Sequence, residues 1–198
     1  MHMIEAFRIT LFIFGATLLL PTQLQASAPE QNYAQPVSSA DARAALAQGR
    51  KRLVEDHDAK GSLDDLKKAV KLDPKSVPAY LLLGTAYMQT QQWTPAQAAF
   101  EQAAKLEPAN AQAYLGIGAA LNQKLDYAGA QKALLRSLEL KTDSAEAHYE
   151  LARTLWSLYK FPEAEIHVRK AIELNPGYSS PHILLANLYL VKEDPEAA

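Results

Sequence analysis

The sequence predicts an all-α solenoid of stacked helix–turn–helix units, and three observations support this fold class. Small and large apolar residues recur every 34 positions over most of the chain. The helix formers Ala, Leu, Gln, Glu and Lys dominate the composition, and only 8 of the 198 residues are glycine. Pro74, Pro108 and Pro176 stand where one unit would end and the next begin, because proline cannot continue a helix.

Residues 1–26 are predicted to be a signal peptide. An uncharged run at residues 9–20 follows a short segment whose positive charge comes from Arg8 and the α-amino group. As a helix this run rises about 18 Å, which is too short for a hydrocarbon core of about 30 Å. We expect cleavage after Ala26; the alternative is an uncleaved membrane anchor. Residues 27–40 are rich in Pro, Ser, Gln and Ala, which predicts a flexible linker.

The 34-residue period predicts three complete units at residues 77–110, 111–144 and 145–178. Residues 41–76 are predicted to form a degenerate first repeat, and residues 179–198 an incomplete last repeat. Within a unit, small residues on the two helices allow close approach, and large apolar residues fill the surrounding space. The residues in these rows are Gly84, Gly118, Ala152 and Ala186; Ala96, Ala130, Ala164 and Ala198; and Phe100, Leu134 and Val168.

In its repeat length and its pattern of small and large residues, the chain resembles the tetratricopeptide-repeat family. The resemblance implies a right-handed superhelix whose concave face is lined by the first helix of each unit. It also implies protein binding, although arrays of this family serve many partners. We therefore expect a non-catalytic exported scaffold or adaptor that holds a segment of a protein partner in its concave groove.

A concrete groove surface follows from helical geometry. On each first helix, the positions next to the core residues lie about 100° further round the helix axis. The members of this surface are Leu81, Thr85, Met88, Leu115, Ala119, Asn122, Tyr149, Arg153, Trp156, Ile183, Asn187 and Leu190.

Three of these residues form one stripe, because Tyr149, Arg153 and Trp156 stand at i, i+4 and i+7. Tyr, Arg and Trp are the residue types that dominate binding hot spots, so this stripe is the predicted anchor for the partner. The alternative is structural. In that case Leu81, Leu115 and Ile183 pack between neighbouring first helices, and Trp156 fills a gap.

Several other functions are disfavoured by the sequence. The chain has no cysteine and a formal charge of −2 without a basic stripe, which argues against thiol chemistry and against nucleic-acid binding. His148 and His182 occupy the repeat row that also holds Tyr80 and Tyr114, so we expect them to fill space between helices. No motif of a metalloprotease, phosphate-binding loop or serine hydrolase is present. We expect no catalytic residues, no metal and no cofactor.

Three alternatives stay open for the whole chain. The first is a complete exported adaptor. The second is the front part of a longer exported protein whose downstream domain carries the activity, and the third is a membrane-tethered envelope assembly factor. The last repeat has only its first helix, so we expect Leu185, Leu188 and Tyr189 to be exposed, and this uncapped helix could mediate a homodimer.

By analogy with envelope assembly proteins we favour the bacterial periplasm over secretion or membrane tethering, and membrane contact requires an uncleaved N-terminal segment.

Overall fold

The computed structural model describes residues 39–193, and this part of the chain consists of α-helices joined by short turns. The predicted all-α fold is confirmed. The predicted signal peptide, residues 27–38 of the predicted linker, and residues 194–198 lie outside the described residues. Among the described residues, no helix has both the length and the apolar character needed to cross a lipid bilayer. The helices are α1 (Ser39–Val54), α2 (Ala59–Leu72), α3 (Val77–Gln89), α4 (Trp93–Leu106), α5 (Ala111–Gln123), α6 (Tyr127–Leu140), α7 (Ala145–Ser157), α8 (Phe161–Leu174) and α9 (Ser179–Glu193).

The helices stack as successive pairs. The largest contacts are within the pairs α1–α2, α3–α4, α5–α6 and α7–α8, and each second helix also packs on the first helix of the next pair. The first helices α1, α3, α5, α7 and α9 form a continuous row in which each contacts the next. Within residues 39–193, no helix packs on a partner more than two helices away. This nearest-neighbour pattern is the defining property of a solenoid.

Local sequence begins the helices at the same point of each period. Ser76, Asn110 and Ser144 are N-caps whose side chains accept a hydrogen bond from the backbone N–H three residues later. Asp58 and Asp126 do the same for the second helices α2 and α6. Each such cap contributes about 0.5–2 kcal/mol to helix stability, so the period is fixed by local chemistry as well as by packing.

The core is built where small residues on one helix admit large ones from another. A Cβ atom at Gly84 would lie 2.7 Å from the ring of Phe100, and one at Gly116 would lie 2.5 Å from the same ring. A Cβ atom at Gly118 would lie 2.4 Å from Leu134. Phe100 therefore fits between two consecutive first helices, α3 and α5, because both present a glycine to it.

A left-handed backbone residue precedes the second helix of each pair. The φ angles are 53° at His57, 59° at Gln91, 63° at Leu125 and 59° at Tyr159, and these residues are 34 positions apart. None is a glycine, although this conformation costs an L-residue with a side chain about 1–2 kcal/mol. Each turn therefore holds a small amount of backbone strain.

Replacing Gln91 with glycine should stabilise the protein by about 0.5–1 kcal/mol. The relief of strain of about 1–2 kcal/mol exceeds the extra chain entropy that glycine loses on folding, about 0.5–1 kcal/mol. Urea unfolding followed by circular dichroism measures the change. The matched control is Gln102→Gly, an exposed position inside α4, where the same substitution should cost about 1 kcal/mol. A loss of stability at both positions would contradict the prediction.

The last helix, α9, differs from the expectation based on the sequence. Leu188 is buried, with 5% of its surface exposed, and Leu185 is half-buried, so the prediction that they are exposed was wrong for Leu188. Tyr189 is exposed, as predicted. The difference arises because Leu184 and Leu188 are four residues apart on the helix face that joins the core of the preceding pair.

Candidate functional site

A cleft of about 370 Å³ lies along the first helices α5, α7 and α9. Of the twelve residues of the predicted groove surface, six line this cleft: Asn122, Tyr149, Arg153, Trp156, Ile183 and Asn187. The remaining lining residues are Gln123, Leu125, Tyr127, Ser157, Ser180 and Leu184. The structure therefore brings the predicted Tyr–Arg–Trp stripe together with side chains from the helices on either side of it.

The other six predicted residues do not line the cleft. Among them, Ala119 on α5 is half-buried and Leu190 on α9 is exposed. Leu115 is only 7% exposed and belongs to the hydrophobic core around α5–α8. Leu81 and Met88 pack against the core beside Phe100, and the Thr85 hydroxyl donates a hydrogen bond to the Leu81 carbonyl at 2.9 Å. The cleft thus lies along the later part of the predicted surface, whereas Leu81, Met88 and Leu115 of the earlier part pack against core residues.

The floor of the cleft is a hydrogen-bonded network that joins α5 to α7. The Asn122 amide, 6% exposed, donates to the Glu150 carboxylate at 3.0 Å and to its backbone carbonyl at 3.3 Å. The fully buried Thr154 hydroxyl lies 2.8 Å from the Glu150 backbone carbonyl and 2.9 Å from the Asn122 side-chain oxygen, the two acceptors that share its proton. Arg153 Nη1 donates to both carboxylate oxygens of Glu150 at 3.0 Å. Glu150 therefore fixes the position of Arg153 and is itself held by Asn122.

Aromatic rings support this network from the side. The Arg153 guanidinium lies over the Tyr149 ring, 5.8 Å from its centroid. Tyr149 meets Tyr178 edge-on, with centroids 5.1 Å apart, and Trp156 meets Phe161 in the same way at 5.2 Å. Burial raises the pKa of Tyr178 to about 12, so its phenol stays protonated at physiological pH. The cleft consequently has rigid aromatic walls around one oriented cation.

Sequence reasoning missed Glu150, Thr154 and Tyr178. The sequence does indicate the first two, since Glu150 and Thr154 are polar residues in repeat rows whose other members are apolar or glycine. Glu150 is the charged member of a row whose other members are Leu82, Gly116 and Leu184, and Thr154 is the polar member of a row with Ala86, Ala120 and Leu188. A polar residue in an otherwise apolar row needs a hydrogen-bond partner, which here lies in the neighbouring helix pair.

The cleft is suited to binding. Among its lining residues, Arg153 is the one with a guanidinium group, and the others offer amide, hydroxyl, aromatic and aliphatic groups. No set of three or more His, Cys, Asp or Glu residues in the described part of the chain is grouped closely enough to hold a metal ion. The chemistry that these groups support is hydrogen bonding and aromatic packing against a ligand.

A pair of histidines lies apart from the cleft. The Nδ1 atoms of His148 and His167 are 2.9 Å apart, and the rings stack with centroids 5.2 Å apart. His148 Nε2 donates to the Thr142 carbonyl at 3.1 Å, so in the neutral pair His167 donates to His148. His182, which shares a repeat row with His148, is exposed and makes only the equivalent contact with the Pro176 carbonyl at 3.0 Å. The packing role expected for both histidines therefore fits His148 alone.

This histidine pair should make stability depend on pH. Burial lowers the pKa of His148 and of His167 below the usual 6.5, and the charge of His148 adds to the effect on His167. As the pH falls below about 6.5, the unfolded chain takes up these protons before the folded chain does, so the free energy of unfolding decreases. Above that pH the stabilisation is fully present.

Urea unfolding at about pH 7.5 and about pH 5.5 tests this expectation. The matched variant carries His148→Tyr and His167→Ala, which reproduces Tyr114 and Ala133 at the same positions of the preceding pair. It should lose less stability on acidification than the wild type. An equal or greater loss in the variant would show that the pair does not titrate as described.

Comparison with known proteins identifies the repeat type. Sequence models of the tetratricopeptide repeat match residues 53–121 and residues 145–178, together just over half of the chain. The crystal structure of MamA is similar at 28% identity and a TM-score of 0.64, over 73% of this chain and 84% of that one. No curated protein sequence matches this chain.

Two further structures share the fold at lower identity. MamA from Desulfovibrio magneticus RS-1 matches at 20% identity and a TM-score of 0.68, over 79% of this chain and 88% of that one. YrrB, described as a TPR protein with an unusual peptide-binding site, matches at 21% identity and a TM-score of 0.62, over 79% of this chain and 80% of that one. The resemblance to tetratricopeptide repeats noted in the sequence is confirmed.

Proposed function

Because this chain belongs to the tetratricopeptide-repeat family, we propose that it is a non-catalytic scaffold that binds a segment of a protein partner in the cleft between α5, α7 and α9. The observation that carries the proposal is the position of Arg153. Its guanidinium is fixed by the Glu150 carboxylate at 3.0 Å and by the Tyr149 ring, and it lines an open cleft. A preorganised arginine binds with little loss of side-chain entropy.

The walls of the cleft support a protein ligand rather than a small polar one. Trp156 and Tyr149 present large ring surfaces, and Ile183 is 63% exposed on the opposite helix. Burying such side chains against a partner removes apolar area from water at about 25 cal/mol per Å². The exposed amide of Asn187 at the cleft can hydrogen-bond the partner's main chain, which is the feature that all protein segments share.

The fold is compatible with such a role in at least one similar protein, since YrrB is described as having a peptide-binding site. Its identity to this chain is 21%, so it supports the architecture and leaves the ligand to be found by experiment.

The test begins with affinity capture from native cell extract on the immobilised full-length chain, with bound proteins identified by mass spectrometry. The test variant combines Tyr149→Ala, Arg153→Ala and Trp156→Ala. The control is Ile166→Ala, which removes an apolar side chain that is 66% exposed on α8, away from the cleft. We expect a partner that the wild type and the control retain and that the triple variant loses.

The affinity of the captured partner then tests the cleft residue by residue. With Trp93→Phe, Trp156 is the one tryptophan left in the chain, so its fluorescence reports occupancy of the cleft. Arg153→Ala should weaken binding at least tenfold, which corresponds to about 1.4 kcal/mol. Retention of the partner by the triple variant, or a titration without a change in Trp156 emission, would place the binding site elsewhere.

An exported location is part of the proposal and rests on residues 1–26 alone. Cell fractionation followed by N-terminal sequencing of the purified protein distinguishes a cleaved chain from one that retains the N-terminal segment. A mature chain that starts near Ser27 indicates cleavage and a free periplasmic or secreted scaffold. A chain that retains Met1 and fractionates with membranes indicates a tethered one. Recovery from the cytosol with Met1 retained would contradict export.

A further inference from the structure

Two additional pockets lie between the two helices of the central pairs. The first, of about 280 Å³, opens between α3 and α4, and the second, of about 540 Å³, opens between α5 and α6. Every residue lining the first has its counterpart 34 positions later in the lining of the second. Representative members are Tyr80, Tyr87 and Ala99 in the first and Tyr114, Leu121 and Ala133 in the second. We call these two sites the paired pockets.

The paired pockets lie where one repeat row has alanine, whereas the same row has larger polar residues in the helix pairs before and after them. That row contains Asp65, Ala99, Ala133 and His167. In the last complete pair, the imidazole of His167 occupies the corresponding space and stacks on His148 with centroids 5.2 Å apart. In the first pair, Asp65 stands at this position and lies 3.1 Å from Arg52. The two pockets described here lie at the two alanines, whereas the helix pairs on either side carry Asp65 and His167 at this position.

The chemistry of the paired pockets is apolar inside and basic at one rim. Tyrosine, leucine, isoleucine and alanine side chains form most of the walls. Lys132 and Arg136 stand at the second pocket together with Glu139. Arg136 donates to Glu139 at 2.9 Å and lies over the Tyr114 ring at 5.9 Å, so one carboxylate balances one of the two cations. The residues lining the second pocket therefore carry a net positive charge, whereas those lining the first carry none. At the first pocket, Lys67 lies over the Tyr87 ring, 5.8 Å from its centroid.

The spacing of packed helices gives an approximate distance between the two sites. Successive first helices pack directly on each other, and packed helix axes are roughly 8–10 Å apart. Residues i and i+7 of a helix are about 10 Å apart, and residues i and i+3 of a polyproline II segment about 9 Å. One short protein segment can thus place two apolar side chains into both pockets. The paired pockets share no lining residue with the cleft.

We infer that the paired pockets are a second docking surface, and that their occupant is a protein segment carrying two bulky apolar side chains about 10 Å apart with an acidic side chain beside the second. The apolar walls favour the two apolar side chains, and the net positive charge from Lys132 at the second pocket favours the acidic side chain. This surface is independent of the proposed role of the cleft, because no residue serves both.

A phage-displayed library of random 12-residue peptides, selected on the full-length chain, tests the inference. The variants Ala99→His and Ala133→His each fill one pocket with the residue that the protein itself uses at position 167. We expect enriched peptides with two bulky apolar residues at a fixed spacing of three or seven. Each His variant should weaken their binding at least tenfold, while Tyr149→Ala should leave it unchanged.

Further measurements make each outcome decisive. Thermal unfolding of the two His variants establishes that they are folded, and Lys132→Glu tests the charge without changing an apolar side chain of the pocket. Tenfold weaker binding of the acidic peptides to Lys132→Glu supports the acidic feature, and unchanged binding overturns it. If no enriched peptide depends on the pockets, the docking surface is overturned. If sedimentation velocity shows a self-association that both His variants abolish, the occupant is a second copy of the chain, and a foreign segment is excluded.

Discussion

Replacing Gly118 with leucine should lower the melting temperature by roughly 6–12 °C, the equivalent of about 3 kcal/mol in a domain of this size. A Cβ atom alone at this position would lie 2.4 Å from Leu134 Cγ, closer than real side-chain contacts allow. Leu134 is fully buried and cannot move into solvent, so helices α5 and α6 must separate. Differential scanning calorimetry or circular dichroism measures the effect.

The matched control is Lys132→Leu, the same incoming side chain at an exposed position of α6. It should change the melting temperature by less than about 2 °C, because it meets open space at the rim of a pocket. Gly118→Ala should fall between the two, since it adds only the clashing Cβ atom. Equal melting temperatures for the two leucine variants would show that the assignment of Gly118 to the helix crossing is wrong.

Replacing Phe100 with alanine should cost about 3–5 kcal/mol. Phe100 is 4% exposed and is received by Gly84 on α3 and Gly116 on α5. Neither glycine has a side chain that could move into the space left behind, so the cavity should persist. The loss therefore falls both within the pair α3–α4 and on its boundary with α5.

The position of this cavity also predicts how the protein unfolds. In a solenoid, cooperativity depends on the interfaces between neighbours. Weakening one interface should divide urea unfolding into two transitions, with hydrogen exchange faster in α1–α4 than in α5–α8. Leu135→Ala, which truncates a side chain that is 42% exposed, serves as the control and should cost less than about 1 kcal/mol with a single transition. A single transition with unchanged slope for Phe100→Ala would contradict this account.

The sequence predicts the fold well because each repeat row reports a contact that recurs in every pair. Gly84 and Phe100, for example, are visible as a small and a large residue at fixed phase, and the structure places them in contact. The caps at Ser76 and Ser144 recur in the same way. Such contacts involve only two neighbouring helices, so the periodic pattern of residues along the sequence is enough to predict them.

The candidate site is less predictable because it depends on which side chains fail to fill the space between three helices. Leu115 and Tyr149 occupy the same repeat row, yet the first is buried in the core and the second lines the cleft. Nor does the period predict that His148 would meet His167, since the corresponding residues of the preceding pair are Tyr114 and Ala133, whose side chains cannot form such a hydrogen bond. A residue that differs in type from the other members of its repeat row, such as Glu150, is the part of the site that the sequence alone can indicate.

The restriction of helix contacts to near neighbours has a consequence for how the protein is made. A chain that emerges from its N-terminal end, from a ribosome or through a membrane channel, meets every packing partner of a helix within the next two helices. Each pair can therefore become structured on the one before it, without waiting for a distant segment to be synthesised or translocated. Assembly can follow the direction of the chain, and the time during which apolar helix faces are open to aggregation is limited to the newest pair.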